Sequence, residues 1–302
     1  MKNKIEYYYR IENINLHEQN NIYNFLYNNK KYIFFNTTRN IKEIEQIYLL
    51  QSIDERYYKI ILNRNRNVIT VINNKQYLLV EIINYGNRKI TFDDLTNKKS
   101  VTNLENSNTL LRNDWYNLWI KKVDYINYQR VHFNKEYLLL DDYLDYFLGL
   151  AENAISYIQD ATAKEKKDER DERDELVISH RRINSNLKKI YYNVENIVLD
   201  HISRDVSEYL KYLFFNEELD YNTVANIINS LNFSRYGYRL LFGRMLFPSH
   251  FFDIYENIIN NSQKELEIKK ITLKICDYEN YLKFIFQEIN KKTKLPIVEW
   301  LT

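Results

Sequence analysis

The chain has 302 residues, of which 45% are hydrophobic and 28% charged, and its formal net charge at pH 7 is +2. This is the composition of a globular protein with one large domain or two lobes, and the charge does not indicate nucleic acid or a membrane surface as a partner. A single cysteine, Cys276, excludes an intramolecular disulfide and a multi-cysteine metal site, which is typical of synthesis in a reducing cytoplasm. No apolar run approaches the roughly 18 to 20 residues that a membrane-spanning helix needs, and the first residues lack the apolar core of a secretory signal.

The first 85 residues are rich in predicted strands. Residues 22–27 and 31–35 flank an Asn-Asn-Lys turn, a pattern typical of a β-hairpin. In residues 40–53, apolar side chains recur at helical spacing and predict an amphipathic helix. Three more strands are predicted after it, at residues 58–62, 68–72 and 76–83. Strands, a helix and strands in this order indicate a small α+β lobe.

After a strong break at residues 84–87, the pattern becomes mainly helical. We therefore place a domain boundary after residue 86. The charge run at residues 161–175 has no apolar residue to bury and predicts a solvated helix extension or loop. Helices are predicted at residues 103–131, 137–159, 222–231, 235–247, 251–261 and around 278–289.

Residues 176–210 contain two apolar runs separated by a polar loop headed by His180. In phosphotransferases of the protein-kinase and aminoglycoside-kinase type, such a hairpin carries His-x-Asp with a downstream Asn, and its second strand ends in a metal-binding Asp. The loop here has Arg182 at the position of the catalytic Asp, and an arginine cannot accept a proton at physiological pH. The downstream Asn falls near Asn186, or at Leu187 with a one-residue gap. Only Asp200 stands at its expected place, as a candidate Mg²⁺ ligand.

Each of these polar residues also has a structural interpretation. His180 is suited to a hydrogen bond that holds the loop. Asp200 is suited to capping the next helix, or to anchoring the loop through His180 or Arg204. Asp205, close to the start of that helix, is suited to a cap or a loop anchor.

The nucleotide side of the pattern is also incomplete. No glycine precedes Gly86, so the first hairpin lacks a glycine-rich phosphate cradle. The strand position that usually carries the phosphate-pairing lysine falls at Phe34 or Phe35. The following helix offers a partner in Glu43 or Glu45, whereas Lys30 and Lys31 lie at the wrong end of the strand. These absences argue against ATP binding in the usual mode, so no cofactor is expected, with ATP and Mg²⁺ as the alternative.

Arginines mark another segment with two interpretations. Arg235, Arg239 and Arg244 lie on one predicted amphipathic helix. They predict either an anion site or partner-binding face, or ion pairs with carboxylates of the large lobe.

Four segments in this order, residues 146–160, 178–183, 200–210 and 234–256, closely resemble the kinase-like spore-coat proteins of endospore-forming Firmicutes. The resemblance is to the YutH type, which is related to the CotS type. It implies an α+β, two-lobed protein-kinase-like fold of the aminoglycoside phosphotransferase type, and a place in the spore coat. The small β-rich lobe would be residues 1–86 and the larger helical lobe residues 87–302, with the degenerate catalytic hairpin at 176–205. YutH-type proteins depart from His-x-Asp at this same site, which suggests a pseudokinase subgroup.

The sequence thus predicts a pseudokinase-like coat protein that acts in coat assembly or as an interaction scaffold, without phosphoryl transfer. Its partners would be other spore coat proteins, and it would be made in the mother-cell cytoplasm and deposited in the coat. One alternative is an atypical active kinase or small-molecule phosphotransferase, in which Asp200 binds Mg²⁺ and Asp205 or Glu195 replaces the base. Another is a scaffold that binds a nucleotide without turnover.

Overall fold

The computed structural model of the chain describes most of its residues, in two compact units. Unit 1 comprises Met1–Arg112 and Leu176–Asp200, and unit 2 comprises Asn113–Glu175 and His201–Thr302. The described residues are 1–51, 58–83, 91–96, 101, 109–132, 137–164, 172–183, 194–260 and 264–301.

Unit 1 contains an antiparallel sheet in which β2 and β3 form the predicted hairpin. The strands run in the order β1-β2-β3-β6-β4, and β5 pairs with β6. The pairing of Phe34 with Tyr23 and Leu79 places β3 in the middle of the sheet. The described strands are β1 (His17–Gln19), β2 (Ile22–Tyr27), β3 (Lys30–Asn36), β4 (Tyr58–Ile60), β5 (Thr70–Ile72) and β6 (Lys75–Ile82).

Asparagine pairs make the tight turns between these strands. Asn28 and Asn29 have φ angles of 50° and 60°. Asparagine tolerates the left-handed region because its short polar side chain bonds locally, and two successive positive φ angles match the twist of a hairpin. The same arrangement recurs at Asn20–Asn21 and Asn73–Asn74. The predicted turn is confirmed, and it needs no glycine.

One face of the sheet is covered by α1 (Lys2–Tyr9), a helix that the sequence interpretation did not predict. Ile5 of this helix is fully buried, and Tyr9 shares a 2.9 Å hydrogen bond with Thr70 of β5. Phe34 lies in the same apolar cluster and stacks on Tyr77 at 5.0 Å. Only one residue of α1 is buried, so its short sequence carries little helical periodicity, and packing on the sheet holds it.

The opposite face of the sheet is covered by α2 (Ile41–Leu50), as predicted. Ile44, Ile47 and Leu50 form its buried side, and the side chain of Asn40 caps the helix by accepting a hydrogen bond from the Glu43 N–H at 2.8 Å. The cluster beneath α2 also includes residues from the second stretch of unit 1. These are Val194, Ile197 and Leu199.

The central hairpin consists of β7 (Leu176–His180) and β8 (Ile197–His201), which pair with each other. The Leu199 N–H donates to the Leu110 carbonyl at 3.0 Å, and the Arg112 N–H donates to the Leu199 carbonyl at 2.9 Å. This pairing corrects the helix predicted from residue 103. The helix α4 (Trp115–Arg130) begins only at Trp115, because the backbone of residues 110–112 is engaged by β8.

Unit 2 is built from helices. Among the described residues they are α4, α5 (Leu138–Lys164), α6 (Ser203–Phe215), α7 (Tyr221–Ser230), α8 (Arg235–Leu246), α9 (Ser249–Ile259), α10 (Lys269–Thr272) and α11 (Ile275–Asn290), and α3 (Phe92–Thr96) belongs to unit 1. Helices α5 and α8 pack closely at Gly243, which has no side chain. A Cβ added there would lie 2.4 Å from Cγ2 of Ile158. None of the helices in the described ranges has the length and apolar character that crossing a membrane requires.

The predicted solvated charge run ends in a specific polar cluster of unit 2, which corrects that prediction for its last part. Asp174 accepts a hydrogen bond from the Ser234 hydroxyl at 2.5 Å and lies 3.3 Å from Nε2 of His201. His201 is only 4% exposed, so a carboxylate beside it is a favourable partner. Helix α5 extends to Lys164, and residues 165–171 lie outside the described part of the chain.

The three arginines of α8 have different surroundings, and the predicted anion site or partner-binding face stays a prediction. Arg244 donates to Glu208 at 2.8 Å, inside unit 2, so the predicted carboxylate pairing is confirmed for this residue. Arg239 instead donates twice to the main-chain carbonyl of Tyr157, at 3.0 and 2.8 Å. Arg235 is exposed.

The two compact units divide the chain differently from the predicted lobes, 1–86 and 87–302. Residues 87–112 and the hairpin strands up to Asp200 fall in unit 1, because β8 pairs with residues 110–112 and packs under α2. The predicted break at residues 84–87 lies outside the described residues.

Candidate degenerate phosphotransferase site

The side chain of Asn196 links the two sides of the central hairpin at its loop end. Its amide nitrogen donates to the Arg182 carbonyl at 2.7 Å, and its amide oxygen accepts from the Arg182 N–H at 3.1 Å. The Arg181 N–H donates to the main-chain carbonyl of Asn196 at 2.8 Å. These bonds extend the β7–β8 pairing by one side chain and fix the backbone where a catalytic loop would begin.

Arg182, which replaces the expected catalytic Asp, is half-buried. Its Nη1 donates to the Arg181 carbonyl at 2.9 Å, so part of the guanidinium bends back onto the loop. A guanidinium carries only donors and keeps its proton in proteins. This side chain therefore cannot serve as a general base.

The other predicted residues of the hairpin are described only in part. His180 ends β7 and is 8% exposed, and Asp200 lies near the end of β8 and is fully buried. Asn186 lies outside the described residues. Across the described ranges, no three His, Cys, Asp or Glu side chains come close enough to hold a metal ion together. A role for Asp200 in binding Mg²⁺ stays a prediction.

Neither of the two aspartates occupies the N-cap position of the following helix. The N-cap position of α6 is Ile202, and it makes no side-chain capping bond. Asp200 is part of β8, and Asp205 is a fully buried residue in the first turn of α6. The helix dipole favours a carboxylate in a first turn. The predicted roles of both aspartates as a helix cap or a loop anchor stay predictions.

Strand β3 distinguishes the two phenylalanines proposed for the lysine position. Phe34 is fully buried on the α1 face of the sheet. Phe35 points to the opposite face and packs against the cluster that includes Ile44 of α2 and Leu199 of β8. The side of β3 that faces α2 therefore presents an aromatic ring.

Two residues just before α2 bind the start of the second hairpin strand. Arg39 is 4% exposed and donates to the Glu195 carbonyl through Nε at 3.3 Å and Nη2 at 2.7 Å. The same Nη2 donates to the Ile197 carbonyl at 2.6 Å. The Thr37 hydroxyl donates to Oε1 of Glu195 and also accepts from the Arg39 N–H at 3.1 Å. The Glu195 carboxylate, a candidate replacement base, is thus engaged by Thr37.

Glu43 of α2 lies between two arginines. Its carboxylate is 3.6 Å from Nη1 of Arg39 and 3.6 Å from Nη2 of Arg112. Burial, together with the nearby charge of Arg181, lowers the pKa of Arg39 to about 10. Glu45, the other candidate partner, is exposed. The helix carboxylate thus turns toward arginines of the loops and not toward a lysine on β3.

Sequence reasoning missed Thr37, Arg39 and Asn196. The only local signal near the first two is Asn40, a good N-cap residue that marks the start of α2. A single arginine before a helix has no distinguishing pattern, and the partners of Arg39 lie 156 and 158 residues away. These contacts form only when the fold brings distant segments together, so the sequence alone does not reveal them.

An antiparallel sheet with a helix on each face, a two-stranded hairpin and a second unit built from helices are the elements of a kinase-like phosphotransferase fold. An aminoglycoside phosphotransferase from Alicyclobacillus acidocaldarius matches with a TM-score of 0.62, covering 92% of this chain and 92% of that one at 10% identity. A spectinomycin phosphotransferase, solved in complex with AMP, matches with a TM-score of 0.55, covering 94% and 96% at 14% identity. At these identities the likeness concerns the fold alone, and it confirms the predicted fold class.

Within this class, the chain belongs to the family described as "Spore coat putative kinase YutH", whose model matches residues 2–286. The predicted resemblance is confirmed. The endospore coat-associated protein YutH of Bacillus subtilis (strain 168) is 29% identical over 212 residues, which are 62% of this chain. The aligned part spans 61% of the length of that relative.

Proposed function

We propose that this protein acts in the spore coat as an assembly or interaction scaffold built on a phosphotransferase fold, without transferring phosphoryl groups. Its partners are other spore coat proteins, and its place is the coat, after synthesis in the mother cell. The coat role is supported by membership of the family and by the coat-associated relative.

The main support for a protein without phosphoryl transfer is the position of Phe35. Kinases pair the phosphates of ATP with a lysine on the third strand, which in turn pairs with a helix glutamate. Here the face of β3 toward α2 holds a phenyl ring within an apolar cluster. A triphosphate beside that ring would lose water contacts, and the ring itself supplies no cation in return, which is costly. Arg182 at the base position supports the same conclusion.

A thermal-shift titration with ATP, with and without Mg²⁺, tests this proposal. A ligand present at a hundredfold excess over its Kd stabilises the native state by about 2.7 kcal/mol, a shift of several degrees in Tm. We expect no shift at millimolar ATP in either condition. A Mg²⁺-dependent shift that disappears in Asp200→Asn would contradict the proposal.

One observation favours the alternative of an atypical active phosphotransferase. Asp200 is a fully buried carboxylate at the place where this fold usually holds its metal ligand. Buried carboxylates are costly and are retained where a partner or a role compensates. In this alternative, Asp200 would hold Mg²⁺ beside the phosphates, and another carboxylate would replace the base.

A complementation experiment in a sporulating host separates the two functions. Under the scaffold proposal, Asp200→Asn preserves the shape of the side chain and restores the coat of a deletion strain as fully as the wild type does. A folded Asp200→Asn protein that reaches the coat but fails to restore it would favour the enzyme. Extractable coat proteins and spore resistance to lysozyme are the measurements.

A further inference from the structure

The contacts of Thr37 and Arg39 join the segment before α2 to the segment that begins β8. Arg39, Thr37 and Glu195 make their contacts inside unit 1, at 4% exposure for Arg39 and 4% for Thr37. The guanidinium spans two successive main-chain acceptors, Glu195 O and Ile197 O. A planar fork with several donors can do this, whereas a lysine ammonium is a single point charge.

Protein kinases connect the corresponding strand and helix in a different way. There, an ion pair between a strand lysine and a helix glutamate must be in place for activity, and the position of the helix is what regulation controls. In this chain the corresponding side of β3 presents Phe35, and Glu43 lies within 3.6 Å of Arg39 and Arg112. The helix is therefore attached through its N-terminal end to main-chain carbonyls.

We propose that Thr37, Arg39 and Glu195 form a latch that holds α2 on β8 in one position whether or not a nucleotide is present. Opening the latch would remove three charge-assisted hydrogen bonds from two carbonyls and separate a buried guanidinium from its acceptors, which is strongly unfavourable. The acceptors are backbone atoms that need no cofactor for their placement. A helix held in this way is a fixed element and not a switch.

The latch goes beyond the proposed function and does not depend on it. An active enzyme with this latch would also keep α2 in place, and a coat scaffold without it would have a mobile α2. The two ideas can therefore fail separately.

Hydrogen exchange of the full-length protein, followed by mass spectrometry on peptides covering α2, tests the latch. We expect Arg39→Met to lower the protection of the α2 amides by about tenfold or more, because local opening no longer breaks the buried bonds. Lys42→Met is the matched control, since it removes a cation from the exposed side of the same helix. We expect this control to leave protection within about twofold of the wild type.

A second pair of variants keeps the test decisive if Arg39→Met does not fold. Thr37→Val removes the hydroxyl that binds Glu195 while preserving the shape of the side chain, and Thr37→Ser keeps the hydroxyl. We expect the valine variant to lose α2 protection and the serine variant to retain it. Arg39→Lys is expected to fall between wild type and Arg39→Met, because one ammonium cannot span both carbonyls.

Two results would overturn the latch. One is α2 protection that falls no further in Arg39→Met and Thr37→Val than in their controls. The other is wild-type α2 protection that rises on addition of ATP and Mg²⁺, since a latched helix has no open state for the nucleotide to close. ATP binding that leaves α2 protection unchanged would contradict the proposed function and support the latch.

Discussion

At Gly243 of α8, helices α5 and α8 of unit 2 approach each other closely. A Cβ there would lie 2.4 Å from Cγ2 of Ile158, a distance at which something must shift. We expect Gly243→Ala to destabilise the protein by about 1–3 kcal/mol from overpacking, less the small gain in helix propensity. Chemical denaturation of the purified variant measures the change.

Gly149 on α5 provides the matched control. A Cβ there would have no neighbour within 4 Å, so Gly149→Ala adds only helix propensity. We expect this variant to be stabilised by about 0.5–1 kcal/mol. Equal effects at the two positions would show that α5 and α8 are less closely packed than described.

At this scale, sequence reasoning identified the right positions and could not assign their surroundings. The exchange at Arg182 was visible because a motif has a fixed spacing. The sequence could not show whether Phe34 or Phe35 takes the position of the lysine, because this depends on which face of the sheet meets α2. The engagement of Glu195 by Thr37 was also out of reach, since the two residues are 158 positions apart.

The β2–β3 turn is the element whose chemistry is most directly testable. Asn29 has a φ angle of 60°, where a β-branched side chain clashes with its own backbone. We expect Asn29→Val to destabilise the protein by about 1–2 kcal/mol. Thermal unfolding followed by circular dichroism measures the effect.

Asn29→Gly is the partner variant for this turn. Glycine reaches the left-handed region without steric cost, and Asn-Gly is a preferred pair in two-residue hairpins. We expect a gain of about 0.5 kcal/mol, which stays small because glycine also has more freedom in the unfolded chain. A valine variant as stable as the glycine variant would mean that the turn changes its conformation.

Among the elements, those with a regular apolar period were predictable and those held by distant contacts were not. The spacing of Ile44, Ile47 and Leu50 was enough to place α2. By contrast, α1 buries one residue only, and its tyrosines resemble a strand. Residues 110–112 carry leucines that fit a helix, yet their backbone pairs with Leu199, which local sequence cannot reveal.

Buried tyrosines set the response of the whole molecule to alkali. Burial raises the pKa of Tyr9 to about 12 and that of Tyr212 to about 12, and it raises the pKa of Tyr278 well above its ordinary value. Unfolding returns each phenol to a pKa near 10. The folded state then binds more protons than the unfolded state above that pH, so stability is complete below about pH 10 and is lost as the pH rises toward 12.

We therefore expect Tm to fall steeply between about pH 10 and pH 12, and tyrosinate absorbance of the buried rings to appear together with loss of helical circular dichroism. In Tyr278→Phe, the decline with pH is expected to be shallower, because one raised phenol is removed. Full ionisation of the tyrosines while the helices persist would contradict this account.

Unit 1 consists of two stretches of chain, with residues 113–175 between them. The apolar cluster under α2 needs Val194, Ile197 and Leu199, and these come from the second stretch. On a ribosome, the sheet and α2 therefore emerge with that side uncovered, and it stays uncovered while the first stretch of unit 2, residues 113–175, is synthesised. Exposed apolar surface of this kind invites aggregation and chaperone binding in nascent chains. Until residue 199 has emerged, the apolar side of α2 and the sheet therefore lacks its native cover.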